Sequence, residues 1–197
     1  MNQPAPISAL ARRIEAILFI AARPVAAEEL AIACGTAAED VAEALAELAR
    51  DYASGSHGVE LCEVAGGVAF AVARDCEPAA EAFAGARRPD DLSPALIETL
   101  SVVAYLQPTT RAEVARVRGV SSEWALSSLE ERGLVEECGR GESPGAPILY
   151  GTTSRFLTLF GLRGLADLPS LESFAPGVGE VDELRERLLS LAERREL

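Results

Sequence analysis

The run LSPALIETLSVVAYLQPTTRAEVARVRGVSSEWALSSLEERGLVEE, residues 92–137, holds the signals of three successive helices and the start of a strand. Ser93-Pro94 is a cap followed by proline at the first helical position, where a missing N–H costs nothing. Leu96, Leu100, Val103 and Ala104 then recur on one helical face, and Gln107-Pro108 ends the segment. Thr110 caps a short helix that Gly119 terminates, and Ser121 caps a third that runs through Arg132 to Gly133. Leu134–Cys138 and Ile148–Tyr150 supply two strands, separated by a loop containing glycine and proline. Helix, helix, helix, hairpin is the order of a winged helix, a helix-turn-helix with a β wing behind it.

The same order occurs upstream. Ser8 caps a helix with Leu10, Ile14, Ile17, Leu18 and Ala21 on its apolar stripe, and Pro24 ends it. A short helix over Ala27–Cys34 stops at Gly35, and Thr36 caps a longer one with Val41, Leu45 and Leu48 on one face. The Gly/Ser loop around His57 precedes two runs of period two, Val59, Leu61, Val64 and Val68, Phe70, Val72, with Gly66-Gly67 between them as a hairpin signal. Ala79–Ala84 reads as a small closing helix after Pro78, and Gly85-Ala86-Arg87-Arg88-Pro89 as a linker. One offset of 84 residues superposes Pro24 on Pro108, Glu29 on Glu113, Gly35 on Gly119 and Leu45 on Leu129. The expectation is a mainly α (α+β) chain of two tandem winged-helix domains, 1–88 and 89–168. Residues 169–197 follow as a flexible connector and an amphipathic helix carrying Val181, Leu184, Leu188 and Leu191, whose apolar face must dock on something. Thr152 or Thr153 opens the last short helix of the compact part, with Phe156, Leu157, Leu159 and Phe160.

The chain has 197 residues and a net charge of −13, from 18 basic residues against 31 acidic ones. Every basic residue is arginine. This argues against a polybasic DNA clamp, a membrane-surface patch and a Walker-type loop, which needs its lysine. A single histidine, His57, leaves little scope for histidine-based metal or acid–base chemistry, and Cys34, Cys62, Cys76 and Cys138 form no Cys-x-x-Cys pair. They read as buried free thiols of a cytoplasmic protein. The amino terminus carries no secretory signal, and the longest apolar run, Ala16–Ala22, is too short for a bilayer.

Winged helices most often read DNA through their third helix. Here that helix carries Glu39, Asp40, Glu43 and Glu47 against Arg50 in the first half, and Glu123, Glu130 and Glu131 against Arg132 in the second. Both repel phosphates. Arg111, Arg116 and Arg118 form the one basic feature, better read as a solvated face pairing with nearby glutamates than as a phosphate contact. No catalytic residue, metal ligand or cofactor site is assigned; Gly139-Arg140-Gly141 lacks the context of a nucleotide fingerprint. Phe19 and Ile20 in the first half, and Tyr105 and Trp124 in the second, exceed what the buried stripes require. They permit a self-association face and a peptide groove. A DNA-binding winged-helix transcriptional regulator is the alternative.

The second half, from Leu92-Ser93-Pro94 through Ala104-Tyr105, Gln107-Pro108, Thr110-Arg111-Ala112-Glu113, Arg118-Gly119-Val120 and Pro147-Ile148-Leu149-Tyr150-Gly151-Thr152-Thr153 to Leu168-Pro169, resembles the bacterial segregation and condensation protein B family. The first half matches more loosely, through Ile14-Glu15-Ala16-Ile17-Leu18-Phe19, Pro24, Glu29-Leu30-Ala31 and Val64-Ala65-Gly66-Gly67. The resemblance implies a non-enzymatic homodimer that grips the central region of a kleisin, segregation and condensation protein A. Through that kleisin it would join the SMC ATPase in chromosome condensation and partition, cytoplasmic and nucleoid-associated, with little or no direct DNA binding and no membrane contact. It places dimerisation on the first unit, at Phe19 and Ile20, and kleisin binding on the second, at Tyr105, Arg111, Arg118, Trp124, Pro147 and Tyr150. Ala146 stands where the family usually has arginine, and Trp124 where a small residue is common.

Overall fold

Ser8 begins the first helix because its hydroxyl accepts from the Ala11 N–H (3.1 Å), one of the donors a helix start leaves without an internal partner. The computed structural model describes residues 7–53, 55, 57–84, 92–142 and 144–170. Helix α1 (Ala9–Ile20) buries Ala11, Ile14 and Leu18 against α2 (Ala27–Cys34) and α3 (Ala38–Asp51), which contribute Leu30, Val41, Ala44 and Leu48. The antiparallel strands β1 (Val59–Val64) and β2 (Gly67–Val72) form the wing, joined through Ala65 and Gly66, both at positive φ. Its tie to the helices is a bridge of two 2.9 Å hydrogen bonds between Val25 and Val68. A 3-10 turn (Arg74–Cys76) leads into α4 (Glu77–Ala84). The segment Gly161–Gly164 belongs to this unit too, with the Leu162 and Arg163 carbonyls accepting from Ala65 and Gly66.

The second unit repeats the plan. Helix α5 (Pro94–Leu106) starts on Ser93 with proline at N1 and buries Leu96, Thr99, Leu100, Val102, Val103 and Ala104. The short strand β3 (Thr109–Thr110) precedes α6 (Arg111–Arg118), and α7 (Glu123–Glu131) follows the turn at Gly119, which is left-handed like Gly35. Thr110 and Glu113 close a reciprocal cap: the Thr110 hydroxyl accepts from the Glu113 N–H, and the Glu113 carboxylate from the Thr110 N–H at 2.7 Å. Strands β4 (Val135–Arg140) and β5 (Ile148–Thr152) make the wing, and β3 adds to β5, giving the order β3-β5-β4. Gln107 welds α5 to this sheet. Its side-chain oxygen accepts from the Thr152 N–H at 2.8 Å while its amide nitrogen donates to the Ala104 carbonyl at 3.0 Å. Helix α8 (Ser154–Leu159) is capped by the Thr153 hydroxyl, which accepts from the Phe156 N–H. The chain is thus mainly helical, α+β, with two winged-helix units.

Several local expectations shift. The cap of α3 is Ala37, not Thr36, because the Asp40 carboxylate accepts both the Ala37 N–H and the Thr36 hydroxyl. Ser122 replaces Ser121 ahead of α7, which ends at Glu131 with Arg132 as its cap. Helix α4 begins at Glu77, so Pro78 falls in its first turn, where proline is tolerated. The four thiols are free, but Cys34, Cys62 and Cys76 are half-buried and Cys138 is exposed. The linker expected at residues 85–89 and the amphipathic segment carrying Val181, Leu184, Leu188 and Leu191 lie outside the described residues.

One half-buried polar contact has a pH signature. The Tyr52 hydroxyl donates to Glu15 across α1 and α3, and the ring stacks on His57 and Phe70 with centroids 4.5 and 4.8 Å away. The hydrogen bond to the Glu15 carboxylate, with burial and that negative charge, pushes the phenol up to about 12. A folded-state pKa raised above the unfolded 10.0 gives stability that is complete below pH 10 and is lost as pH climbs through 12. Urea midpoints of the wild type should therefore fall between about pH 10 and 12 more steeply than those of Tyr52→Phe. Parallel curves for the two would remove the Tyr52–Glu15 contact as a source of stability.

Candidate functional site

Each unit leaves large apolar side chains in water, among them Phe19 and Ile20 in the first and Trp124 in the second. In the first, α1 needs only its Ala11, Ile14 and Leu18 face for the core, which turns Arg12, Ala16 and Phe19 outward. Phe19 is 83% exposed and Ile20 79% exposed. They stand at one wall of an open groove of about 1040 Å³ whose other walls include Leu18, Tyr52, Val59 and Phe70. The groove thus brings together Phe19 and Ile20, which the sequence singles out, with Tyr52, the residue that caps α3, and two residues of the wing that it does not. No sequence signal joins Tyr52, Val59 and Phe70 to α1, because the hairpin's position over that helix is set by the Val25–Val68 bridge.

In the second unit Trp124, on the first turn of α7, is 66% exposed, while its neighbours Ala125, Leu126 and Leu129 form core. Beside it, Glu123 pairs with Arg111 (2.7 Å), and Arg111 also reaches the Tyr150 hydroxyl at 3.4 Å. That phenol oxygen and the glutamate hold the Arg111 guanidinium above its ordinary value. Burial, with Glu137 nearby, pushes the Glu130 carboxyl up against the lowering pull of Arg111. Arg111 is therefore part of a charge network beneath the third helix and is not displayed as a separate cation.

The remaining residues are less displayed. Tyr150 is 2% exposed, so its ring is core and only its hydroxyl meets the network. Arg118 keeps 9% of its side chain exposed and pairs with Glu98 at 3.1 Å, leaving its Nε buried without a hydrogen bond. Tyr105 is half-buried, its hydroxyl donating to the Pro169 carbonyl at 2.7 Å, and burial raises its pKa. Pro147 lies half-buried at the foot of the wing, its carbonyl accepting from the Gly141 N–H. Ala146 beside it takes a positive φ of 41°, and its carbonyl accepts from Arg140. Arg111 thus meets Tyr150 and, at the start of α7, the Glu123 that precedes Trp124, whereas Arg118 faces Glu98 on α5 and Tyr105 lies at the far end of that helix. Ile97 and Val120 are further exposed apolar residues of this unit that periodicity alone does not flag.

Among the described residues no three His, Cys, Asp or Glu side chains group as a metal site. None of the described helices is long and apolar enough to cross a membrane.

Residues 12–171 match the family described as "Segregation and condensation complex subunit ScpB". The chain is 44% identical over 162 residues to a segregation and condensation protein B of Moorella thermoacetica, covering 82% of this chain and 83% of that one. It is 42% identical over 161 residues to the protein of the same name from Symbiobacterium thermophilum, covering 81% and 72% of the two chains. A solved ScpB from Mycobacterium tuberculosis is 34% identical, with 80% of this chain and 99% of that one covered and a TM-score of 0.37.

Proposed function

Because the chain belongs to the segregation and condensation complex subunit ScpB family, we propose that it is a non-enzymatic homodimer that holds the kleisin subunit of a bacterial SMC complex. The first unit pairs two copies through Phe19 and Ile20. The second binds the central region of the kleisin, segregation and condensation protein A, and so reaches the SMC ATPase. Chromosome condensation and partition is the work named for the family, and the work we assign to this chain.

The observation that carries this reading is Trp124. It occupies the start of the helix that would enter a DNA groove, yet it offers water an indole flanked by Glu123 instead of a cation. Exposed aromatics of this kind are the usual anchors of protein interfaces, while acidic neighbours repel phosphate. Of Arg111, Arg116 and Arg118, which a DNA contact would need, Arg111 and Arg118 are each engaged by a glutamate, at 2.7 and 3.1 Å, while Arg116 is exposed.

The test combines light scattering with binding. The purified chain of 20.7 kDa is expected to run at twice its mass and to retain the central segment of the kleisin on an affinity column. Duplex DNA at low salt is expected to show no shift. A monomer that fails to retain the kleisin would end the proposal. A DNA shift falling steeply with added salt would put the transcriptional-regulator reading in its place.

A further inference from the structure

Helix α4 is eight residues long and has no buried residue among those whose side chains are described. Its main neighbour is the 3-10 turn that precedes it. Phe83, near its end, is 95% exposed, the most open large apolar side chain among the described residues. An isolated helix this short is unstable in water, since one or two turns do not repay the cost of nucleation. Its order needs a surface that covers Ala79, Ala80 and Phe83, which share one side of the helix at the i, i+1, i+4 spacing.

We propose that α4 of each protomer lies in the α1–wing groove of a second copy of this chain, so that the dimer is a reciprocal exchange of these helices. The inference rests on the dimer reading above and adds the element that fills the groove. Three observations select the second copy as the occupant. First, the spacings agree. Glu77 and Phe83 are six residues apart, about 9 Å along α4, and Arg12 and Phe19 are seven apart, about 10.5 Å along α1. A parallel approach sets Phe83 against Phe19 and Ile20, while Glu77, about 120° round the helix from Phe83, reaches Arg12 from the edge of the contact.

Second, the charges agree. The Arg12 side chain lines the groove and makes no ion pair or hydrogen bond among the described residues, and the same holds for the Glu77 side chain. Each is the charge the other lacks.

Third, the exchange suits a two-fold axis. Val59 of the groove wall pairs with Val72, and α4 leaves the wing only a few residues beyond, so helix and groove share one edge. A two-fold axis near that edge delivers each α4 to the opposite groove, as an isologous interface requires. Within one protomer Phe19, Ile20 and Phe83 all stay open, so the chain's own α4 does not cover the groove. Burying these three side chains on both copies removes on the order of 1,000 Å² from water, the threshold for a specific interface.

Sedimentation equilibrium of the full chain tests this. Arg12→Glu and Glu77→Arg should each weaken the dimer about tenfold, because a two-fold interface counts each altered pair twice. The double variant should return to within about threefold of wild type. Phe83→Ser should weaken the dimer about a hundredfold. If Phe19→Asp dissociates the dimer while the Arg12, Glu77 and Phe83 variants do not, the exchange is wrong and the dimer face stands. A wild-type monomer at every concentration removes the dimer reading itself. Loss of monomer stability in Phe83→Ser, with dimerisation intact, would place α4 on its own unit and overturn the exchange.

Discussion

Replacing Gly67 by alanine is expected to destabilise the first unit by about 3 kcal/mol, enough to leave much of it unfolded if its total stability is at the low end for a small domain. A Cβ at this position would meet the backbone of Val25: its carbonyl carbon and oxygen at 2.9 Å and its nitrogen at 3.0 Å. Those atoms cannot swing aside as a side-chain tip can. They are fixed by the pair of hydrogen bonds that Val25 exchanges with Val68. To admit the methyl the wing must lift, which breaks both bonds and uncovers Val68 and Val25, now 8% and 7% exposed in the core. It also withdraws Phe70 and Val59 from the groove, so dimerisation should fail with folding. Gly66→Ala is the control. Its φ of +72° strains an alanine, yet nothing lies within 4 Å of the added carbon, so a cost of about 1 kcal/mol is expected. Urea unfolding of both variants decides the matter. Equal midpoints would show that backbone conformation, and not the close approach to Val25, makes glycine necessary at residue 67.

Gly67 also marks where the sequence stops being legible. Gly66-Gly67 announces a hairpin, and a hairpin is present, but the turn is Ala65–Gly66 and Gly67 lies in the strand facing Val25. Turn composition is a local signal; a strand's need for a bare backbone comes from a residue 42 positions away (Val25 to Gly67). The same division holds elsewhere. The stripes of α1 and α5, the left-handed Gly35 and Gly119, and the Thr110–Glu113 cap are written within single turns and can be read there. Strand β3 could not be read, being two residues that exist as a strand only because β5 passes beside them. Tyr150 illustrates the cost of treating an aromatic in a recognisable motif as surface, since pairing with Thr109 and Glu137 seats its ring in the core. Phe83 is the converse. AEAFA is too short for a periodic signal, and only its isolation in three dimensions makes it conspicuous.

Trp124→Ala is expected to weaken kleisin binding by about a hundredfold while leaving thermal stability almost unchanged. The two halves of that expectation have separate causes. The indole is 66% exposed and the core beneath α7 is made by Ala125, Leu126 and Leu129, so truncation opens no cavity. Its free energy is realised only when a partner covers it, and central aromatics of this size contribute about 2–4 kcal/mol to an interface. Glu123→Ala provides the contrast. It removes the 2.7 Å partner of Arg111, but that pair is 47% and 69% exposed, so its loss should change affinity only a few-fold. Trp124 is also the chain's sole tryptophan, which makes it its own reporter. On titration with the kleisin segment its emission should shift to the blue as water leaves the ring. Binding of undiminished affinity in Trp124→Ala, together with an unshifted spectrum in the wild type, would move the kleisin surface away from α7. The dimer face proposed at Phe19 and Ile20 would be untouched by that result, because those residues belong to a separate unit with its own core.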